Sequence, residues 1–159
     1  VQAKAQAELD AKVSATCPPN FDNHPQLPYI EAILSEVLRW NPVMPMGICL
    51  EVHYLFFIQV LPIIVAILQD EEDYPNPIVF KAKQFIPGDG KEPQPHPLAV
   101  FGFGRCICPG HYLMLNSTWI AIASMVATLS ISKAMDSEGS ILELSDTFTG
   151  GFLRSVLLC

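Results

Sequence analysis

A chain of 159 residues is long enough for one domain with its own core. Its formal charge of −7, from 9 Lys and Arg against 16 Asp and Glu, is the opposite of the basic face that nucleic acid requires. Half of the residues are apolar, which suits a core-rich piece of something larger or a membrane-associated protein. The five cysteines (Cys17, Cys49, Cys106, Cys108 and Cys159) are odd in number and irregularly spaced, which argues against a disulfide framework and for a reducing, intracellular compartment.

The chain opens on "VQAKAQAELDAKV", a helix already in progress whose apolar positions are too sparse for deep burial; no secretory leader is expected there. "CPPNFDNHPQ" reads as loop. "LPYIEAILSEVLRW" predicts a helix over 27–40: Pro28 suits its first turn, Ile30, Ile33, Leu34, Val37 and Leu38 share one face, and Pro42 stops it. An apolar, strand-forming stretch follows to about residue 65. The uncharged run 52–69 is near the length of a membrane span, but His53, Gln59 and Pro62 favour a buried strand or core helix. "AILQDEEDYPNP" reads as a short helix stopped by prolines. Residues 75–97 are crowded with Pro and Gly, yet Phe80 and Phe85 suggest that the segment is packed down. A second helix follows at "GHYLMLNSTWIAIASMVATL", apolar nearly all round and therefore expected to be buried. The tail reads as a hairpin turning near Gly139.

The chemistry concentrates in "FGFGRCICPG", residues 101–110. Glycines on both sides of a thiol let backbone pack closely against a cofactor. Cys108 stands just before Pro109-Gly110 and a long helix, whose first N–H groups are unpaired and carry the positive end of the dipole. Such a place favours thiolate over thiol and suits a metal ligand. Cys106 and Cys108 with His111 and His96 can also be drawn as a zinc site, but no second Cys pair follows. A redox pair or a tight structural turn are the remaining readings of the two thiols. His24, His53 and His96 sit among prolines or apolar residues, as bystanders. No Gly-x-Ser-x-Gly elbow supports a hydrolase.

The loop resembles the haem-binding signature of the cytochrome P-450 family, Phe-Gly-x-Gly-x-Arg-x-Cys-x-Gly. Phe101, Gly102, Gly104, Cys108 and Gly110 match it, and Cys108 takes the place of the iron ligand. Upstream, "EVLR" sets Glu36 and Arg39 three residues apart on one helical face, where they can pair. On their own they would suit a solvated face. Followed by "WNPV", they resemble the family's buried Glu-x-x-Arg pair, and "AILQDEEDYPNPIVF" resembles the meander that precedes the cysteine loop. The resemblance spans most of residues 1–133 and is closest to fungal members.

The resemblance implies a mainly α fold with minor β (α+β), the C-terminal part of the family's fold, with residues 1–159 as one partial, proximal haem-binding domain. It further implies a haem-thiolate monooxygenase that holds haem b through Cys108 and inserts one oxygen atom of O2 into a small apolar substrate. A redox partner such as an NADPH-dependent reductase and an endoplasmic-reticulum membrane location of the full-length relative follow in the same way. No residue of the chain is expected to be catalytic, because the family's distal wall, acid–alcohol pair and membrane anchor would lie upstream of Val1.

Three departures qualify this. Cys106 stands where the signature has Arg, with Arg105 one place off. Gln84, in "AKQF", stands where a second Arg would join Glu36 and Arg39, which predicts a pair short of one partner. The segment after "WNPVMPMGI" is apolar and short where a polar strand pair belongs, as in a mis-spliced or decayed stretch. The alternatives are a truncated, non-catalytic relative that binds haem weakly or not at all, and a structural membrane protein carried by residues 52–69.

Overall fold

The computed structural model describes residues 1–13, 17–47, 50–54, 56–60, 62–88, 90, 92–135 and 140–141. Among them are four α-helices: α1 (Gln2–Lys12), α2 (Pro28–Trp40), α3 (Ile64–Leu68) and α4 (His111–Thr128). Strands β1 (Leu50–Tyr54) and β2 (Phe56–Val60) pair antiparallel, with Val52 opposite Ile58. The chain is thus mainly helical with a minor sheet. No helix of the described residues is long and apolar enough to cross a membrane.

Helix α2 is the hub. Its apolar face buries Ile30, Ala32, Ile33 and Leu34, whereas Val37 at the edge is exposed. Helix α1 supplies Ala5 and Leu9, both buried, so contrary to expectation its sparse apolar positions do reach the core, while Ala3, Ala7 and Ala11 stay exposed. Ile64 and Leu68 come from α3, Ala82 and Phe85 from the irregular segment, and Trp119 and Ala123 from α4. The start of α2 is capped from another helix. Both carboxylate oxygens of Glu8 accept from the Tyr29 backbone N–H at 3.0 Å, and one also accepts from Ile30 N–H at 3.3 Å. A carboxylate there satisfies N–H groups that the helix itself leaves unpaired.

Several expectations need correction. Helix α4 is not buried all round: Trp119 and Ala123 are enclosed, while Tyr112 and Leu113 are more than 70 % exposed. Only the stripe facing α1 and α2 is covered, and hydropathy without a periodic gradient could not pick it out. The loop 17–26 contains a 3₁₀ turn, Phe21–Gln26, because the Asn20 side chain accepts from Asp22 and Asn23 N–H and Asn23 returns the bond. Helix α3 ends at Leu68, and the acidic run beyond it forms turns, since Asp70 captures Glu72 N–H with its side chain at 2.9 Å. Of the expected tail hairpin, one antiparallel bridge, Met135 with Ile141, lies inside the described residues; its turn and second strand lie outside them.

Candidate functional site

Glu36 and Arg39 lie one helical turn apart on α2, and neither exposes any surface. Arg39 Nε and Nη2 donate to the two carboxylate oxygens of Glu36 at 2.7 and 2.8 Å, a two-point pairing of planar groups. Arg39 Nη1 donates to the Leu68 carbonyl at 3.2 Å, and its guanidinium lies 5.5 Å from the centre of the Tyr74 ring. Glu36 also accepts from Lys81 backbone N–H at 2.6 Å and from Gln84 Nε2 at 2.7 Å. The pair is therefore not short of a partner. The Gln84 amide donates where the resemblance places a guanidinium, and the buried cluster carries one negative and one positive charge.

From this cluster a strap leads to the thiol loop. Gln84 O accepts from Gln94 N–H at 2.8 Å, and the Tyr74 hydroxyl donates to Pro95 O at 2.8 Å. Burial chiefly, reinforced by Asp73 and Glu36 and opposed by Arg39, raises the Tyr74 phenol above its ordinary value, which keeps it a donor. His96 is tied to α2 by a 3.1 Å hydrogen bond between its Nδ1 and Ser35 Oγ, and it stacks on Phe85 with ring centres 5.9 Å apart. His24 is likewise engaged, 3.1 Å from Glu31 and with its ring centre 4.5 Å from that of Trp119, tilted by 46°. Neither histidine is a bystander. Ser35 for His96 and Trp119 for His24 come from distant parts of the chain, which no local pattern announces.

After His96 a 3₁₀ turn, Leu98–Phe101, brings the chain to the loop. Gly102 adopts φ 87°, and a Cβ there would meet the Cys106 carbonyl oxygen at 3.1 Å, so both backbone freedom and close approach require glycine. Phe101 O then accepts from Cys108 N–H at 2.7 Å, closing the loop on itself. At the far side His111 N–H and its ring Nδ1–H both donate to Cys108 O, at 3.2 and 2.8 Å, joining the loop to α4. Gly104 also has positive φ, with open space where a side chain would stand; a Cβ on Gly110 would lie 3.8 Å from Cys108 Sγ.

Of the residues that the sequence singles out, Phe101 and Gly102 are half-buried, whereas Gly104, Cys108 and Gly110 are exposed. Cys106 and Arg105 are exposed as well. Phe103 and Ile107 present apolar side chains on the same open loop. A cleft of about 190 Å³, lined by Glu31, Ser35, Leu38, His96, Phe101 and Leu115, separates the loop from α2.

The loop fits a haem on its donor chemistry. Among the described residues no three His, Cys, Asp or Glu side chains converge as a metal site. Cys108 can offer a metal only one ligand, which suits an ion that arrives with its other donors in a flat macrocycle. The loop around the sulfur is exposed, glycine-rich and partly apolar, a lining compatible with an apolar ring.

Known proteins agree with this architecture. The matching family is described as Cytochrome P450, over residues 1–149. The tryptamine 4-monooxygenase of Psilocybe cyanescens is 36 % identical over 97 % of this chain and 33 % of its own length. Cytochrome P450 monooxygenase claR of Ampulloclitocybe clavipes is 40 % identical over 95 % of this chain and 30 % of its own. A zebrafish cytochrome P450 structure with abiraterone superposes with a TM-score of 0.74 at 28 % identity, covering 98 % of this chain and 39 % of that one. The chain thus spans about a third of the length of the curated relatives it matches.

Proposed function

The chain belongs to the cytochrome P450 family, and from that premise we infer that it is the proximal haem-binding part of a haem-thiolate monooxygenase. Cys108 holds the iron of haem b. Phe101, Gly102, Gly104 and Gly110 shape the loop beneath the ring, and Glu36 with Arg39 holds the underlying helix. The observation that carries the reading is the loop closure, Cys108 N–H to Phe101 O at 2.7 Å, which presents an exposed sulfur at the start of α4 with glycines around it.

Bound haem with a thiolate ligand supplies the chemistry that activates O2 for insertion of one oxygen atom into an apolar substrate. The chain's own residues do the positioning. The Phe101 and Cys108 backbone bond fixes the direction of the thiol. His111 ties the Cys108 carbonyl to the first turn of α4. The strap through His96, Ser35 and Tyr74 sets the loop's height above α2. Electrons for such a reaction come from a redox partner of the reductase type, as the family generally uses, and the family includes members held at membranes.

Ferric haem titration of single variants tests the assignment. Cys108→Ser abolishes thiolate-type absorption, while Cys106→Ser leaves it intact. The reverse pattern would move the iron ligand to Cys106 and refute the register of the loop. Cys106→Arg, which restores a charged partner for a haem carboxylate, tightens haem retention by about one to two powers of ten at matched ionic strength.

A further inference from the structure

We propose that Cys106 and Cys108 form a reversible disulfide in the haem-free chain, a modification that removes the iron ligand and so makes oxidation and haem binding mutually exclusive. The inference rests on the reading of Cys108 as that ligand. Both thiols are free and exposed, so a small oxidant reaches each of them. They flank Ile107, whose backbone is extended at φ −60° and ψ 138° just beyond the 3₁₀ turn Gly104–Cys106. Two steps of extended chain span at most roughly 7 Å, about the upper end of the Cα separation that a disulfide bridges. A Cβ on residue 110 would stand 3.8 Å from Cys108 Sγ, so glycine there keeps that side of the sulfur free of a side chain. The left-handed glycines Gly102 and Gly104 supply the backbone freedom for the small adjustment that remains.

The oxidant is hydrogen peroxide. One thiol sulfur takes an oxygen atom: an S–O bond forms, the O–O bond breaks, and the thiol proton leaves with the departing hydroxide as water. The second thiol attacks that sulfur: the S–S bond forms, the S–OH bond breaks, and the remaining proton leaves in a second water. Two thiols and one peroxide thus give one disulfide and two waters. A link across a single intervening residue is strained, and strained disulfides are the readily reduced, regulatory kind.

The test uses the full 159-residue chain, haem-free and reduced, treated with hydrogen peroxide, denatured, alkylated and digested with trypsin. Cleavage after Arg105 and Lys133 puts Cys106 and Cys108, and no other cysteine, in one peptide. The expected result is a peptide two hydrogen masses lighter that takes no alkyl group and recovers both on reduction with dithiothreitol. In portions kept native and given haem before denaturation, the oxidised chain loses thiolate-type haem absorption and the reduced chain shows it. The proposal is overturned if both thiols alkylate fully after peroxide, or if they pair with Cys17, Cys49 or Cys159 instead. A chain that forms the loop disulfide yet binds haem in neither state leaves the pairing standing and refutes the haem assignment.

Discussion

The cluster on α2 and the loop around Cys108 belong to one architecture, yet they are built on opposite terms. Glu36 and Arg39 are fully enclosed, and each finds its hydrogen-bond partners within the chain. Residues 103–110 are exposed throughout, and what holds them is a set of backbone bonds together with the His111 ring on the Cys108 carbonyl. Burying charge is costly, so it persists only where pairing is complete; a surface meant to receive a group from outside keeps its side chains open. The contrast teaches that α2 is the foundation and the loop is the open face, the one on which the proposed haem site rests.

Breaking the foundation has the largest expected effect. Glu36→Ala strands Arg39 in the core and costs about 3–5 kcal/mol, read as a lower midpoint and lost cooperativity in urea unfolding. An unchanged midpoint would mean that the cluster is not part of the core. Gln84→Ala removes one of the donors to Glu36 and costs about 1.5–3 kcal/mol, because a hydrogen bond to a charged group is lost while the pair survives. A smaller loss than in Glu36→Ala is the expected order, and the reverse order would put the amide rather than the ion pair at the centre.

The strap gives a gentler test. Tyr74→Phe leaves Pro95 O without its donor and costs about 1 kcal/mol near neutral pH. Its effect on pH dependence has a definite sign. Burial above all raises the phenol in the folded chain, so the unfolded chain releases that proton first. The stability linked to Tyr74 is fully present below the ordinary tyrosine value of 10.0 and is lost as pH rises through the higher folded value. Tyr29, raised by burial and by Glu8, acts in the same direction. Tyr74→Phe therefore shows a shallower fall of stability above pH 10, leaving the share of Tyr29; a curve parallel to the parent's would remove Tyr74 from the account. Smallest of all is Cys108→Ser, whose exposed side chain makes the haem-free stability change by less than about 0.5 kcal/mol.

The two regions also differed in how much of them could be read in advance. Helix α2 was legible to within one residue at its start because Pro28 and Pro42 bracket a periodic face, although Val37, expected on that face, is exposed. The loop was legible as a motif, since glycines and Cys108 occur at fixed offsets. The role of Gln84 was not: it was counted as a lost partner, and only three-dimensional placement shows its amide 2.7 Å from Glu36. Glu8 capping α2, and the ties from His96 to Ser35 and from Tyr74 to Pro95, join positions 21 to 61 residues apart, beyond the reach of any local pattern. The exposure of α4 escaped for a different reason. A helix apolar on every side carries no sign of which side is covered.

The central claim is that α2 stands without the cofactor while the loop waits for it, and peptide-resolved hydrogen exchange with and without haem tests it most directly. The account predicts that residues 28–40 exchange slowly in both states, and that residues 101–111 exchange fast alone and slow on haem addition. Rapid exchange of 28–40 in the haem-free chain, or a loop whose exchange haem does not alter, would contradict it.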